Sequence, residues 1–395
     1  MSTFITEESI LSFKQKGYYI FKSVIPKPHR IARSIIKEVK EIVFNGEDEK
    51  EVVAKLEEEG KDPLLLLTDN KLREEYLTNP KSIWYNDNIR TPKIAKSTGM
   101  ANLFFNNQVR DKVLFNEDLY NIVSTLYSVL SGKEEDCIYL YGPERVCVKP
   151  QGSTHMPKHI DCDITCYKEN TGLKHSPQTH PLSMFRVQTI TCLQIDTEEK
   201  NNGRTDLLSG YNNYFLLGAY FFRKIIPKPK EEVGHRFTPV VVQEIFSKHL
   251  DSFLEHINDL YDKKGKLLPR EDTPYSKERS TYERIYNSLP KKKIKIEWLQ
   301  PVVEPGDVLC FDQRLPHRNT KNDSPISRVV CFASFYPKSY WKEGDLDIYR
   351  TFRGKKYKSR EYNDGSMERE AYKNVWEERC NFQLTPHIRK ILAVE

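Results

Sequence analysis

Apolar side chains along residues 4–44 recur at two different spacings. Ile10 and Phe13, then Ile35, Val39 and Val43, follow the helical period, while Tyr18-Tyr19-Ile20-Phe21 between them forms a short β-type run. With a capping signal at Thr6-Glu7-Glu8, this predicts helix, strand, turn and helix. Residues 45–75 are charge-rich and read as surface helix with loops. Residues 116–131 carry an apolar stripe and stop at Gly132, the residue type that closes helices in the left-handed conformation.

Beyond residue 136 the period changes. Short runs of β-branched and aromatic residues occupy 137–141, 145–149, 185–195, 293–299, 307–311 and 328–336, separated by Gly, Pro, Asn and Asp. Such strands, without regular βα alternation, point to a sandwich or jelly roll rather than a parallel α/β sheet. Residues 220–292 interrupt them as a helical insertion, with a helix expected at 240–261 and a polar loop at 262–292. The charged tail contains a further expected helix at 366–379. The organisation expected is one domain over 1–395: helical support at 1–135, a β core at 136–340 and a C-terminal extension at 341–395.

Composition narrows the functional classes. Lys and Arg number 62 against 56 acidic residues, and the excess of +6 is too small and too scattered along the chain to indicate a nucleic-acid partner. The eight cysteines form no CxxC pair, and several sit in apolar runs (Cys310 in VLCF, Cys331 in VVCF), which suits buried reduced thiols. The N-terminus lacks the basic start and apolar run of a signal peptide, and no stretch reaches the roughly 18 apolar residues of a membrane span. A cytoplasmic protein is expected; oligomeric state is not legible.

The chemistry concentrates in KPQGSTHMPKHIDCD, residues 149–163. His159 and Asp161 stand two apart, so an extended strand presents both on one face. His317, just past the strand of residues 307–311, can complete a two-histidine, one-carboxylate face, a donor set that suits non-haem Fe(II) with coordination positions left open. Eleven residues on (328 − 317), Arg328 leads the apolar strand RVVCF, where a guanidinium fork reading a carboxylate would give it a task. Taken singly, each is as well explained by a turn histidine or a strand-end arginine facing a surface acid. Together they make a site.

The blocks around these residues resemble the phytanoyl-CoA dioxygenase-like group of Fe(II)/2-oxoglutarate oxygenases. They are Phe13 with Gly17-Tyr18-Tyr19-Ile20; Lys149-Pro150-Gln151-Gly152 running to His159-Ile160-Asp161; Leu193 to Asp196 with Asn202-Gly203 and Leu208 to Asn212; and Pro305-Gly306-Asp307 with His317 and Arg328. The resemblance covers about 5–40, 140–215 and 295–340. It implies a double-stranded β-helix (a cupin-like jelly roll) within an α+β, mainly β chain flanked by N-terminal helices. It also implies metal ligands His159, Asp161 and His317, and a dioxygenase that converts 2-oxoglutarate and O₂ to succinate and CO₂ while hydroxylating a C–H bond. The presence of Asp161 favours hydroxylation, because halogenating relatives carry a small residue there. Two departures stand out: 156 residues separate Asp161 from His317, and the group's Gly-Ser-His turn is replaced by Gly210-Tyr211-Asn212.

Around this centre, Arg328, Asn319 and Lys149 are the candidate cosubstrate contacts. On the strand at 185–195, one face carries Arg186, Gln188, Ile190, Cys192 and Gln194, and the other Phe185, Val187, Thr189, Thr191 and Leu193. Gln188 and Gln194 are thus candidate substrate contacts, although periodicity leaves open which face meets the metal. His155, His175 and His180 read as loop histidines, residues 167–184 as a lid or rim, and the lysine-rich run at 291–297 as a solvated strand entry, a basic substrate-steering patch being the alternative. The expected substrate is a small molecule, an oxygenase acting on protein or nucleic acid being the alternative within the class. Outside the class stand a jelly-roll binding protein with a vestigial site and a zinc hydrolase; the latter gives Arg328 no role.

Overall fold

The computed structural model describes residues 4–86, 91–92, 99–102, 106–132, 134, 137–139, 145–161, 187–225, 239–274, 280–337, 385–387 and 390. The N-terminal helices are α1 (Glu7–Lys16), α2 (Pro28–Val43), α3 (Glu47–Glu58), α4 (Asn70–Tyr76) and α5 (Glu117–Ser131). Thr6 caps α1 through a reciprocal pair with Ser9, and Gly132 ends α5 at φ 73°. Strand β1 (Tyr18–Phe21) lies between α1 and α2, as the pattern predicts.

The other strands of the two main sheets are β2 (Met100–Asn102), β3 (Cys137–Tyr139), β4 (Arg145–Lys149), β5 (Val187–Gln194), β6 (Thr205–Ser209), β7 (Glu297–Leu299), β8 (Val308–Asp312), β9 (His317–Asn319) and β10 (Arg328–Pro337). The larger sheet runs β1-β8-β5-β10-β4-β2, with β3 also on β10; the smaller runs β9-β6-β7, and an isolated bridge joins His159 to His317 on its β9 edge. All these pairings are antiparallel.

Followed from β4, the chain visits the large sheet, the small sheet at His159, the large sheet (β5), the small sheet twice (β6, β7), then large (β8), small (β9) and large (β10). Strands that alternate between two facing antiparallel sheets in this way form a double-stranded β-helix, the jelly roll expected from the strand pattern.

The period-2 alternation decides which residues enter the barrel. On β5, Val187 and Leu193 join the core under the helices, whereas Ile190 and Cys192 join the core between the sheets. The same alternation places Val308 and Cys310 outward and Leu309 and Phe311 inward on β8, and Val146 and Val148 outward with Cys147 inward on β4. The β5 face carrying Gln188, Ile190, Cys192 and Gln194, which periodicity alone could not orient, therefore points inward. The outer face is fastened to α5 by Tyr127, whose hydroxyl donates to the Phe335 carbonyl at 2.7 Å and accepts from the Val187 amide at 2.8 Å.

The inserted region departs from expectation at both ends. Helix α6 (Phe215–Ile225) starts before residue 220, and α7 (Pro239–Asn258) stops short of 261. Residues 262–292, expected as loop, contain a 3₁₀ turn at Arg270–Asp272 and helix α8 (Ser280–Ser288). The sequence STYERIYNS hides α8 because Tyr282 and Ile285, three apart, are its two buried apolar residues, too few to register as a period. One expected run also shrinks, since 293–299 is strand only at β7; the run at 137–141 is strand over 137–139, and its last two residues lie outside the described residues. The cysteines at 147, 192, 310 and 331 are buried and free, as expected. The expected rim at 167–184 with His175 and His180, and the helix at 366–379, lie outside the described residues. No helix among the described residues is long and apolar enough to cross a membrane.

Candidate metal centre

His159 and His317 face each other across antiparallel backbone, each amide donating to the other's carbonyl at 2.9 and 2.8 Å. A directly opposed pair projects both side chains from the same face, and the imidazole centroids stand 4.1 Å apart. Both rings are then locked in the same way. His159 Nδ1 lies 2.8 Å from the Pro157 carbonyl and His317 Nδ1 lies 3.1 Å from the Leu315 carbonyl. A carbonyl only accepts, so each Nδ1 carries the proton and each Nε2 keeps its lone pair. The Phe311 ring packs edge-on against His317 at 5.2 Å.

Asp161 closes the triangle. Its Oδ1 is 3.6 Å from His159 Nε2 and its Oδ2 is 3.7 Å from His317 Nε2. Those gaps are too long for hydrogen bonds. Burial, above all, holds His317 in its neutral form, pushing its pKa down to about 4. Lone-pair atoms of three residues thus converge within 4.8 Å of one another, an arrangement of mutual repulsion unless a cation occupies its centre.

Gln188 has a more defined role than the substrate contact expected of it. From the inward face of β5, its Nε2 donates to Asp161 Oδ2 at 2.7 Å, fixing the carboxylate's rotation. Gln194, its partner in that expectation, donates instead to the Ser327 carbonyl at 2.9 Å.

A second feature lies two residues along β9, roughly 7 Å of strand from His317. Arg328 and Lys149 are register partners on β10 and β4, and each is only 1% exposed. Arg328 Nη2 donates to Thr205 Oγ1 at 3.1 Å, and that hydroxyl donates to Asn319 Oδ1 at 2.8 Å. Among the described residues, Nε and Nη1 of Arg328 have no hydrogen-bond partner and the guanidinium forms no ion pair. Burial depresses its pKa, countered only by Cys147 and Cys192. Lys149 Nζ donates to the carbonyls of Thr154 at 2.9 Å and Thr320 at 3.1 Å, and burial, with Arg328 beside it, lowers its pKa to about 8. A buried cation with two idle donors costs several kcal/mol without a partner, so this pole is built for an anion.

The turn at Gly203 makes the approach possible. It sits at φ 77°, and a Cβ there would stand 3.1 Å from Arg328 Cδ. Of the residues singled out from sequence, the structure gathers His159, Asp161, His317 and Gln188 at one pole and Arg328, Lys149 and Asn319 at the other. His155 is exposed, in keeping with a loop histidine. Thr205, which links Arg328 to Asn319, was missed, because a threonine opening a five-residue strand carries no distinguishing signal.

No protein-family model matches the sequence, and no curated protein matches it. Among solved structures, the fold overlaps EctD from S. alaskensis with bound Fe at a TM-score of 0.42 and 11% identity, covering 86% of this chain and 79% of that one. It also overlaps the non-heme alpha ketoglutarate dependent carbocyclase SnoK from nogalamycin biosynthesis (0.37, 13% identity, 84% of each chain) and the corresponding epimerase SnoN (0.36, 8%, 83% and 79%). These scores are low, and the reading of the site rests on its own residues.

Proposed function

We propose that the chain is an Fe(II)- and 2-oxoglutarate-dependent oxygenase that hydroxylates a C–H bond of a small organic molecule. His159, Asp161 and His317 would hold the metal, and Arg328 would take the distal carboxylate of 2-oxoglutarate. The observation that carries this reading is the pairing of two poles inside one barrel: three acceptor side chains that converge on one point, and a buried guanidinium that no acidic side chain faces among the described residues. A dicarboxylate that chelates at one end and pairs at the other completes both. When bound, the ferrous ion with 2-oxoglutarate and O₂ supplies oxidation of an unactivated C–H bond, with succinate and CO₂ as co-products.

The protein's own contributions are orientation, charge and exclusion of water. The carbonyls of Pro157 and Leu315 hold each Nδ1 proton, so both Nε2 atoms stay available as donors of electron pairs. Gln188 keeps one oxygen of Asp161 engaged and so limits how the carboxylate can turn. Thr205 and Asn319 fix the plane of the guanidinium, while Lys149 adds a second positive charge beside it. The sequence blocks that resemble the phytanoyl-CoA dioxygenase-like group support the same reading. A zinc hydrolase would use the three ligands but give the buried charge of Arg328 no anion to meet.

The test is spectroscopic. Under anaerobic conditions, Fe(II) followed by 2-oxoglutarate should produce a visible metal-to-ligand charge-transfer band, and admission of O₂ should release succinate. Bound iron with neither band nor succinate would overturn the proposal.

A further inference from the structure

Two lysine-rich segments 25 positions apart in the chain (291 − 266) meet on the surface of the inserted region. Residues 262–266 (DKKGK) and 291–295 (KKKIK) run antiparallel: Lys266 bridges Lys292, the Leu267 amide donates to the Lys291 carbonyl, and the Lys293 amide donates to the Gly265 carbonyl. This ribbon holds seven lysines and one aspartate, a surplus of six that equals the net charge of the whole chain.

The compensation expected of a solvated surface is missing. Lys263, Lys264, Lys266, Lys291 and Lys292 are all exposed and form no ion pair among the described residues. Lys295 pairs with Glu297, and Lys293 reaches the Asn258 side chain. Asp262 spends its Oδ1 on the amides of Lys264 and Lys266, shaping the turn. Like charges placed directly opposite each other on paired strands are destabilising, and here the backbone places Lys266 against Lys292.

The geometry points to a docking surface for a nucleic-acid backbone, separate from the metal centre and independent of what that centre does. Lysines are compact point charges suited to phosphate, whereas bidentate reading of acidic side chains calls for arginine forks, and the ribbon contains no arginine. Attachment to a bilayer calls for an outward apolar anchor, but Leu267, Ile294 and Ile296 all pack against the core.

Fluorescence anisotropy on the full-length protein, with labelled RNA, single-stranded DNA and duplex DNA as probes, tests this directly. The expected result is salt-sensitive binding that the Lys264→Glu/Lys266→Glu/Lys292→Glu variant weakens by about tenfold or more, with a shallower salt dependence. The control carries the same charge change on exposed helix and loop lysines elsewhere, Lys50→Glu/Lys71→Glu/Lys81→Glu, and should bind within about twofold of the wild type. Circular dichroism and thermal melting verify that both variants fold. Three results would overturn the inference: no binding to any probe, equal weakening in both variants, or capture by phosphatidylserine vesicles without binding to nucleic acid.

Discussion

The two poles inside the barrel are incomplete in opposite senses. At one, His159, Asp161 and His317 turn three acceptors toward one point with no positive charge among them. At the other, Arg328 and Lys149 lie side by side with no negative charge facing them among the described residues. The first is partly open, since Asp161 is 38% exposed, and the second is sealed. Evolutionary drift toward stability would neutralise both, because unpaired buried charge costs more than apolar packing. On the proposed reading a single ligand completes both, with the sealed pole gripping its inert end and the open pole its reacting end.

Breaking the acceptor pole should have the largest effect. His317→Ala or Asp161→Ala removes a donor outright, and 2-oxoglutarate turnover, followed as succinate, should fall to background with loss of stoichiometric Fe(II) binding. Arg328→Met comes next and should separate stability from function. Exchanging a buried guanidinium that has no acidic partner among the described residues for an apolar side chain should raise the apo-protein's unfolding free energy by about 1–3 kcal/mol in urea while 2-oxoglutarate binding is lost. A destabilised Arg328→Met apo-protein would show that contacts within the chain already offset the burial of this charge.

Gln188→Ala should weaken Fe(II) binding about 10–100-fold by releasing Asp161, with Gln188→Glu failing to restore it because a carboxylate cannot donate. Metal titration measures both. The smallest effect is expected from pH. Lys149 has a folded-state pKa near 8, below its unfolded value, so above about 8 the folded state binds fewer protons than the unfolded chain. Its positive charge beside Arg328 is therefore lost as pH rises through 8, and 2-oxoglutarate affinity should fall by a few fold over that interval. Stability contributed by this group should instead rise between about 8 and the ordinary lysine value, and both trends should vanish in Lys149→Met.

The acceptor pole was the more legible in sequence. His159 and Asp161 two apart in an extended segment announce a shared face, and Arg328 leading an apolar strand announces a buried charge. The helices at 7–16, 28–43 and 117–131 were readable because each shows apolar residues at helical period, the first and last also between capping residues. Strands β6 and β9 were not, since Thr205-Asp206 and His317-Arg318-Asn319 lack alternating apolar residues and owe their conformation to their neighbours in the sheet. Gln188 could be placed on a strand but not on Asp161, and the lysines at 263–266 and 291–295 could not be seen as one surface. Contacts between residues far apart in the chain leave no trace in local periodicity.

A dicarboxylate that spans both poles must bind more tightly once the metal is in place. Calorimetric titration of 2-oxoglutarate into the protein, with and without bound Mn(II) as an oxygen-insensitive surrogate, measures that coupling. Binding to the metal-loaded protein should be at least about tenfold tighter, a gain that glutarate, lacking the 2-oxo group, fails to show. Equal affinity with and without metal, or an equal gain for glutarate, would contradict a ligand shared between the poles.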